Sequence, residues 1–379
     1  MRSPGAAFAL GFLGMLFRGE MLAQYRVALE PSIEINEVHD DNLFFSEERP
    51  AGDLILRVRP ALALQLDSPR WSATGKYAFD SDRFANYSTL NNARARDQAS
   101  IGVQYRSTPR LVLALDGAYV NTDTPTDLNI ETGLAAFRVR AKQLTLRPAA
   151  RFRISPRLSA HASYFSTSAE LAGGTSTRAQ FQTVGIEQRL SARDSLTVDY
   201  EQGLYVFNLD KAKNRTNTYL VLAGWKRDLG QRTRLMLQAG PRITDGSPAA
   251  ELSASLAHQW RSTSIAISGQ QTQTTVMGSI GTVEARNLQA RFSYAPTRFL
   301  TAFAAPAVLR TVRGDLQATV YRIGVGARYT ITPLMGIDAI YSIDSQRGAI
   351  DRLRANDNFS HGTLSVGLRA RWSGRDQMK

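Results

Sequence analysis

Apolar and polar residues alternate along most of this chain, in segments about ten residues long. Within residues 53–66 the leucines share one parity, while Arg57 and Arg59 share the other. The same alternation recurs in residues 71–87, 143–154, 318–329 and 361–372. A period of two is that of a β-strand with one apolar and one polar face. Strands of soluble sheets usually have about 5–6 residues, so these longer segments are typical of strands that cross a bilayer.

A short turn recurs between these segments. It consists of a small polar residue, Pro, Arg and a large apolar residue, at residues 68–71, 108–111 and 155–158. Weaker copies follow at residues 192–196, 230–235, 261–264, 296–299 and 332–334. The spacing matches two long strands, a tight turn and a longer connection. The repeat therefore predicts an antiparallel sheet whose tight turns all lie on one rim.

Together these patterns predict an all-β fold, a transmembrane antiparallel up-and-down β-barrel of about 18 strands. An even strand count places both termini on the side of the short turns, which is the periplasmic side. Because proline cannot donate to a strand ladder, a β-bulge is expected at Pro60. The longer connections are expected to face the cell exterior, at residues 88–98, 121–134, 166–178, 208–217, 272–282 and 345–360.

The first residues have the composition of a secretory signal. Arg2 precedes an apolar run at residues 6–17, and cleavage is expected near Ala23. The predicted organisation is a signal peptide at residues 1–23 and a barrel at residues 24–379. No later stretch approaches the roughly 18 apolar residues of a membrane helix. An exported chain of this kind is expected in the outer membrane of a Gram-negative bacterium, in contact with lipid and lipopolysaccharide.

The chain is basic, with 46 Lys and Arg against 33 Asp and Glu and a formal net charge of +13. Many of these cations fall on the parity opposite the apolar residues. A lumen lined in this way would concentrate anions. The alternative is that the charges pair with acids and only solvate the lumen. The predicted basic residues of the pore lining are Arg57, Arg59, Lys76, Arg147, Arg151, Arg153, Arg291, Arg322, Arg328, Arg369 and Arg371.

Motifs that carry chemistry are scarce. The segment Asp40-Asp41-Asn42 offers oxygen ligands for Ca²⁺ without the spacing of a known calcium loop, so a capped turn is the simpler interpretation. The four histidines have no metal-ligand spacing, and there is no cysteine. Nucleophile-elbow and phosphate-loop motifs are also missing. We therefore expect no enzyme activity, no catalytic residue, no cofactor and no metal, and no nucleic-acid partner.

The segment from Pro31 to Phe44, with its Asp-Asp-Asn-Leu-Phe run, and the strand that follows from Asp53 to Leu64 resemble the opening of the β-barrel porin 2 family. That family includes outer-membrane proteins of exopolysaccharide biosynthesis and export. The resemblance implies a barrel over nearly the whole mature chain, passage of a secreted polysaccharide, and a periplasmic export component as partner. The C-terminus departs from many outer-membrane barrels, because Trp372 is followed by residues 373–379.

Three functions are open at this stage. The resemblance and the basic lumen favour passive passage of an anionic exopolysaccharide across the outer membrane. The first alternative is a diffusion porin for small anionic solutes. The second is a structural or adhesive outer-membrane protein that binds through residues 166–178 and 208–217. A basic tip at Lys211, Lys213 and Arg215 is a candidate contact for lipopolysaccharide phosphates.

Overall fold

The structure is a computed structural model that describes residues 26–135, 138–209, 212–350, 358–372 and 374–376. The predicted signal peptide, residues 1–23, lies outside the described residues. The barrel predicted for the mature chain occupies nearly all of the rest. No helix in the described ranges is long and apolar enough to cross a membrane.

From the second strand to the eighteenth, each strand pairs antiparallel with the strand that precedes it in the chain, and the first strand also pairs with the eighteenth, which closes the sheet. This confirms the predicted antiparallel barrel of 18 strands; β19 is a short segment that pairs with β1 below β18. The strands are β1 Arg26–Asp40, β2 Asp53–Asp67, β3 Trp71–Phe84, β4 Asn92–Arg106, β5 Leu111–Thr122, β6 Ala141–Arg153, β7 Leu158–Leu171, β8 Thr175–Arg189, β9 Asp194–Leu209, β10 Ala212–Asp228, β11 Thr233–Thr244, β12 Ser247–Gln259, β13 Thr263–Thr275, β14 Thr282–Tyr294, β15 Leu300–Arg313, β16 Leu316–Thr332, β17 Met335–Gly348, β18 Phe359–Arg371 and β19 Gly374–Asp376. Two single-turn 3-10 helices, η1 Ser88–Leu90 and η2 Pro125–Leu128, lie in the connections.

The recurring Pro-Arg motif forms the tight turns of one rim. The hydroxyl of Ser68 accepts a hydrogen bond from the amide of Trp71 at 2.9 Å. In the same way, the hydroxyl of Thr108 accepts a hydrogen bond from the amide of Leu111, and the hydroxyl of Ser155 accepts one from the amide of Leu158. A small hydroxyl residue at the first position thus replaces a backbone acceptor in a tight turn. By the convention of bacterial barrels this rim is periplasmic, because the other rim carries the longer connections.

The outer face of the barrel is apolar. In β2 the exposed side chains include Leu54, Leu56 and Leu62, whereas Arg57 and Arg59 point the other way. Aromatic residues stand on this face near the periplasmic rim, among them Trp71 stacked on Tyr105. A closed sheet with an apolar exterior satisfies its backbone groups internally and can face lipid all round. The protein is therefore an outer-membrane β-barrel.

The bulge expected at Pro60 is wrong. Pairing of β2 with β3 skips the positions around Pro60, between Val58↔Ser81 and Ala61↔Ala78, and resumes in the same register. Pairing of β6 with β7 is interrupted next to Pro148 in the same way. The long strands on both sides hold the register, so a missing N–H donor leaves a gap in the ladder and adds no residue.

Most of the loops predicted to face outward are not free loops. Residues 166–178 are the ends of β7 and β8 joined by a turn at 172–174, and residues 208–217 lie almost entirely in β9 and β10. The strands continue beyond the apolar band with polar side chains on both faces. Backbone hydrogen bonds between neighbouring strands do not require an apolar face, so these polar ends still pair. Residues 121–134 and 272–282, in contrast, turn into the lumen. Residues 351–357 of the predicted loop 345–360 lie outside the described residues.

Candidate functional site

The accessibility of the inner wall changes along the barrel axis. On the inner face of β15 and β16, Arg328 next to the periplasmic rim is exposed, whereas Leu309 and Val320 near the outer rim are 4% and 1% exposed. Inner residues of other strands show the same trend, with Ile55, Ala141 and Phe207 buried at the outer end. A simple open cylinder would expose its inner wall throughout. The outer half of the lumen must therefore be covered from within.

The first covering segment belongs to the connection between β5 and β6, of which residues 123–135 and 138–140 are described; we call these residues the first insertion. Leu134 is buried in a cluster with Val276, Leu309 and Val320. Gly133 has φ of 64°, and a Cβ there would lie 2.5 Å from Cδ1 of Leu309. A residue with a side chain would be both strained and too large, so glycine permits the segment to approach the wall this closely.

Polar contacts of several residues hold the first insertion to other parts of the barrel. Arg96 Nη1 lies 3.1 Å from an Asp127 carboxylate oxygen. The Ala135 amide donates to Gln346 of β17 at 3.1 Å. Arg138 Nε donates to the carbonyl of Leu43 at 3.1 Å, and the guanidinium stands over the Phe84 ring. Burial lowers the pKa of the Arg138 guanidinium from its ordinary value, although arginine stays charged in proteins.

The second covering segment is the tip of the β13–β14 hairpin, residues 276–281, which we call the second insertion. Ile280 packs against the cluster of Tyr205 and Phe207 on the inner wall of β9. The Tyr205 hydroxyl donates to the carbonyl of Gln273 at 3.1 Å. Val276 belongs to the cluster on β15 and β16. The hairpin tip therefore crosses the lumen from β9 towards β15.

Asn129 joins the two insertions. Its Oδ1 accepts the amide of Met277 at 2.8 Å, and its Nδ2 donates to the carbonyl of Leu134 at 2.8 Å. The side chain is 4% exposed. One buried amide thus satisfies backbone groups of both segments. The sequence placed these segments outside the barrel because their polar composition is that of solvent-exposed loops.

All eleven basic residues predicted for the pore lining lie on the face opposite the exposed apolar side chains. Five of them make ion pairs with acids of the wall, four with an acid of the adjacent strand and one, Arg151, with an acid two strands away. Arg57 and Arg322 each reach both oxygens of one carboxylate, of Asp82 and Asp344 respectively, at 2.7–2.8 Å. Arg59 binds Asp80, and Arg151 and Arg328 bind Glu187 and Asp338. These pairs run along the wall rather than across the lumen.

Arg242 is an inner-wall cation that the sequence pattern did not single out. Its side chain is 5% exposed, and it binds Glu251 and, at 3.1 Å, Glu284. Glu284 belongs to the hairpin that leans into the lumen, so the pair fastens the base of the second insertion to β11 and β12. Pairing of β12 with β13 ends at Leu252 and Gln271, below this contact. The alternation of apolar and polar residues along the strands does not predict this contact.

The other six predicted residues, Lys76, Arg147, Arg153, Arg291, Arg369 and Arg371, have no ion pair with an acid among the described residues. Arg147 and Arg291 stand over the rings of Phe165 and Phe303 at 5.1 and 5.0 Å. All six lie between the middle of the barrel and the periplasmic rim. We call this region the periplasmic vestibule. Arg106, Arg189 and Lys226 lie on the same inner face, which brings these cations to nine. The described inward acids of the region without an ion pair are fewer: Glu30, Asp67, Asp116 and Glu201.

The Asp40-Asp41-Asn42 segment is a capped turn at the seam between the first and last strands. Asp40 lies 3.0 Å from Nε2 of His361, and Asp41 accepts the amide of Gly362. Asn42 donates to the carbonyls of Ser46 and Ser360 and accepts the amide of Ser46. These oxygens are used in holding β18 to the β1–β2 connection. Within the described ranges no group of His, Asp and Glu is arranged to hold a metal ion.

His161 has an acidic neighbour that the sequence did not predict. Its Nε2 lies 2.8 Å from Oδ1 of Asp199, although β8 runs between their strands. Gly185 occupies the intervening position, where a Cβ would lie 1.9 Å from that oxygen. Nδ1 of His161 is buried without a hydrogen bond in the described part of the chain. The pair has an acid and a base but no nucleophile in contact, so it does not form a hydrolase triad.

No protein-family model and no curated protein matches this sequence. Among solved structures, the chain is similar to Pseudomonas aeruginosa OpdO, with 13% identity, coverage of 92% of this chain and 97% of that one, and a TM-score of 0.49. Acinetobacter baumannii OccAB4 gives 10% identity, coverage of 92% and 99%, and a TM-score of 0.49. The siderophore receptor PirA from Pseudomonas aeruginosa has 9% sequence identity, the match covers 91% of this chain and 80% of that one, and the TM-score is 0.46. The barrel assignment rests on the strand pairing of this chain and does not depend on these likenesses.

Proposed function

We propose that this barrel is an outer-membrane channel for small anionic solutes. The observation that carries the proposal is the excess of cations without an ion pair in the periplasmic vestibule. In a water-filled cavity with low-dielectric walls, such charges raise the local concentration of anions and lower that of cations. Contacts with exposed arginines are numerous and individually weak, which favours conduction over retention.

The paired cations have a different role in this proposal. Arg57, Arg59 and Arg322 are neutralised by acids on neighbouring strands, so they contribute little net field. They keep the middle of the wall polar and fix the cross-strand register. The anion selectivity then depends on the arginines that no acid neutralises, and not on the total number of arginines in the lumen.

Passage of an exopolysaccharide is less compatible with this lumen. A polymer would occupy the whole channel length as an extended chain, whereas the two insertions pack against each other and against the wall at β9 and at β15–β16 in the outer half. The polysaccharide function and its periplasmic export partner thus remain predictions of the family resemblance. The adhesive function stays a prediction of the sequence; the segment 166–178 that it would use consists of paired strand ends joined by a short turn.

The experiment is ion selectivity in planar bilayers, measured as the reversal potential in a KCl gradient. The test variant is Lys76→Gln with Arg153→Gln and Arg369→Gln, which removes three vestibule cations from different strands. We expect the chloride-to-potassium permeability ratio to fall by at least about twofold, because the focused potential weakens. An unchanged ratio contradicts the proposal.

The matched control removes charges that the protein neutralises itself. The variant Arg322→Gln with Asp344→Asn loses an arginine and an acid of the same ion pair, so the net charge of the lumen is unchanged. We expect its permeability ratio to equal that of the unmodified protein. Loss of surface polysaccharide on deletion of the chain from its host, with anion uptake unchanged, would instead support the polymer function.

A further inference from the structure

Three arginines form a row on the lipid-facing side of the barrel. Arg286 of β14 lies directly opposite Arg310 of β15. Arg310 lies opposite Thr319 of β16, which in turn lies opposite Arg347 of β17. Neighbouring strands are about 4.8 Å apart. The row therefore places two arginines next to each other on adjacent strands and a third two strands further along, with its backbone about 10 Å away.

The row stands just above the apolar band of the outer face. Leu288 and Val308, the next residues of the same parity in β14 and β15, are 58% and 41% exposed. Tyr321 and Tyr341 stand on the same face of β16 and β17. Two residues of a strand span about 7 Å. Because this is the end away from the short turns, the arginines lie at the level of the head groups of the outer leaflet.

The protein provides little negative charge for this row. Among the described residues, the acid within ion-pair distance of Arg286 is Glu284, at 4.0 Å, and Glu284 is already bound by Arg242. Arg310 donates to the neutral amide of Gln317, and Arg347 has no ion pair among the residues that the structure describes. Like charges directly opposite on a sheet are destabilising, so an external anion bound between Arg286 and Arg310 would stabilise the pair.

Another sector of the same rim shows the contrast. Arg94 lies 3.8 Å from Asp97, and Arg140 lies 2.7 Å from Asp123 and 3.7 Å from Asp97. There the cations near the outer surface are neutralised within the protein. Lys213 and Arg215, which the sequence offered for lipopolysaccharide, are exposed at the beginning of β10, and Lys211 lies outside the described residues.

We infer that Arg286, Arg310 and Arg347 form a binding site for the phosphorylated head group of an outer-leaflet glycolipid. Guanidinium groups recognise phosphate oxygens through paired, charge-assisted hydrogen bonds. The exposed Leu288 and Val308 below the row would contact the acyl chains of the same lipid. The site lies outside the lumen and is independent of the proposed channel function.

The test uses the full chain folded in detergent and measures binding of bisphosphorylated lipid A by native mass spectrometry. We expect the unmodified protein to retain the lipid, and Arg286→Gln with Arg310→Gln and Arg347→Gln to weaken binding by at least about tenfold. The matched control, Arg94→Gln with Arg140→Gln, removes cations that the protein itself neutralises and is expected to bind normally. Should the triple variant fail to fold, the single variant Arg310→Gln serves, with an expected loss of about threefold or more.

Two further probes define the ligand. Dephosphorylated lipid A is expected to bind no better to the unmodified protein than to the triple variant. Phosphatidylglycerol is expected to bind more weakly than bisphosphorylated lipid A. Equal binding of lipid A to the triple variant, or equal binding of phosphatidylglycerol and lipid A to the unmodified protein, overturns the assignment.

Discussion

Arg322 and Asp344 are directly opposite residues of β16 and β17, and two guanidinium nitrogens meet the two carboxylate oxygens at 2.7 Å. Arg369, two strands away on the same inner face, has no ion pair among the described residues. The basic residues of this lumen therefore form two populations that strand parity cannot separate. Removing an acid that neutralises one of the paired arginines should therefore raise the net positive charge of the lumen.

Replacing Asp344 by Asn is expected to increase anion preference. The change removes the negative partner of Arg322 and adds one uncompensated cation to the middle of the lumen. Because both side chains are partly exposed, the loss of stability is expected to be only about 1 kcal/mol. The reversal potential in a KCl gradient measures the change in selectivity. A ratio that stays constant, or falls, would show that the field of this pair does not reach the permeating ions.

Asn129→Ala is expected to loosen the two insertions. The substitution leaves the Met277 amide and the Leu134 carbonyl without their buried partner, at a cost of about 1–3 kcal/mol for each unsatisfied group. We expect larger single-channel conductance or frequent steps between two conductance levels. The control is Ile130→Ser in the same segment, because Ile130 is 75% exposed. Identical recordings from Asn129→Ala and the unmodified protein would mean that the insertions do not limit the current.

Asn42→Ala is expected to weaken the closure of the barrel between β1 and β18. Asn42 is 1% exposed and bonds backbone groups on both sides of the seam. Its loss removes three hydrogen bonds, to the carbonyls of Ser46 and Ser360 and from the amide of Ser46, so the free energy of unfolding should fall by about 1–3 kcal/mol. Urea titration followed by tryptophan fluorescence in lipid vesicles measures this. The control is Asn214→Ala, an exposed residue of β10, and equal midpoints for both variants would contradict a role of Asn42 in the seam.

The strand pattern predicted the architecture closely because a barrel wall separates two solvents. Each residue of β2 must face either lipid or water, so Leu54, Leu56 and Arg57 reveal their faces by parity alone. The Ser-Pro-Arg-Trp turn at residues 68–71 is equally local, since Ser68 bonds the amide three residues on. The capped turn at Asp40-Asp41-Asn42 was expected for the same reason.

The tertiary structure alone decided which cations are neutralised and what fills the outer lumen. Arg57 is paired and Arg153 is not, although both have inward parity, because pairing depends on the residue that the neighbouring strand brings opposite. Asn129 and Met277 are 148 residues apart in the chain, and the periodicity of a sequence does not predict a contact between residues so far apart. The free energy that turns a polar segment inward comes from a few buried apolar side chains such as Leu134 and from satisfied backbone groups. Those contributions exist only once the barrel wall has formed around them.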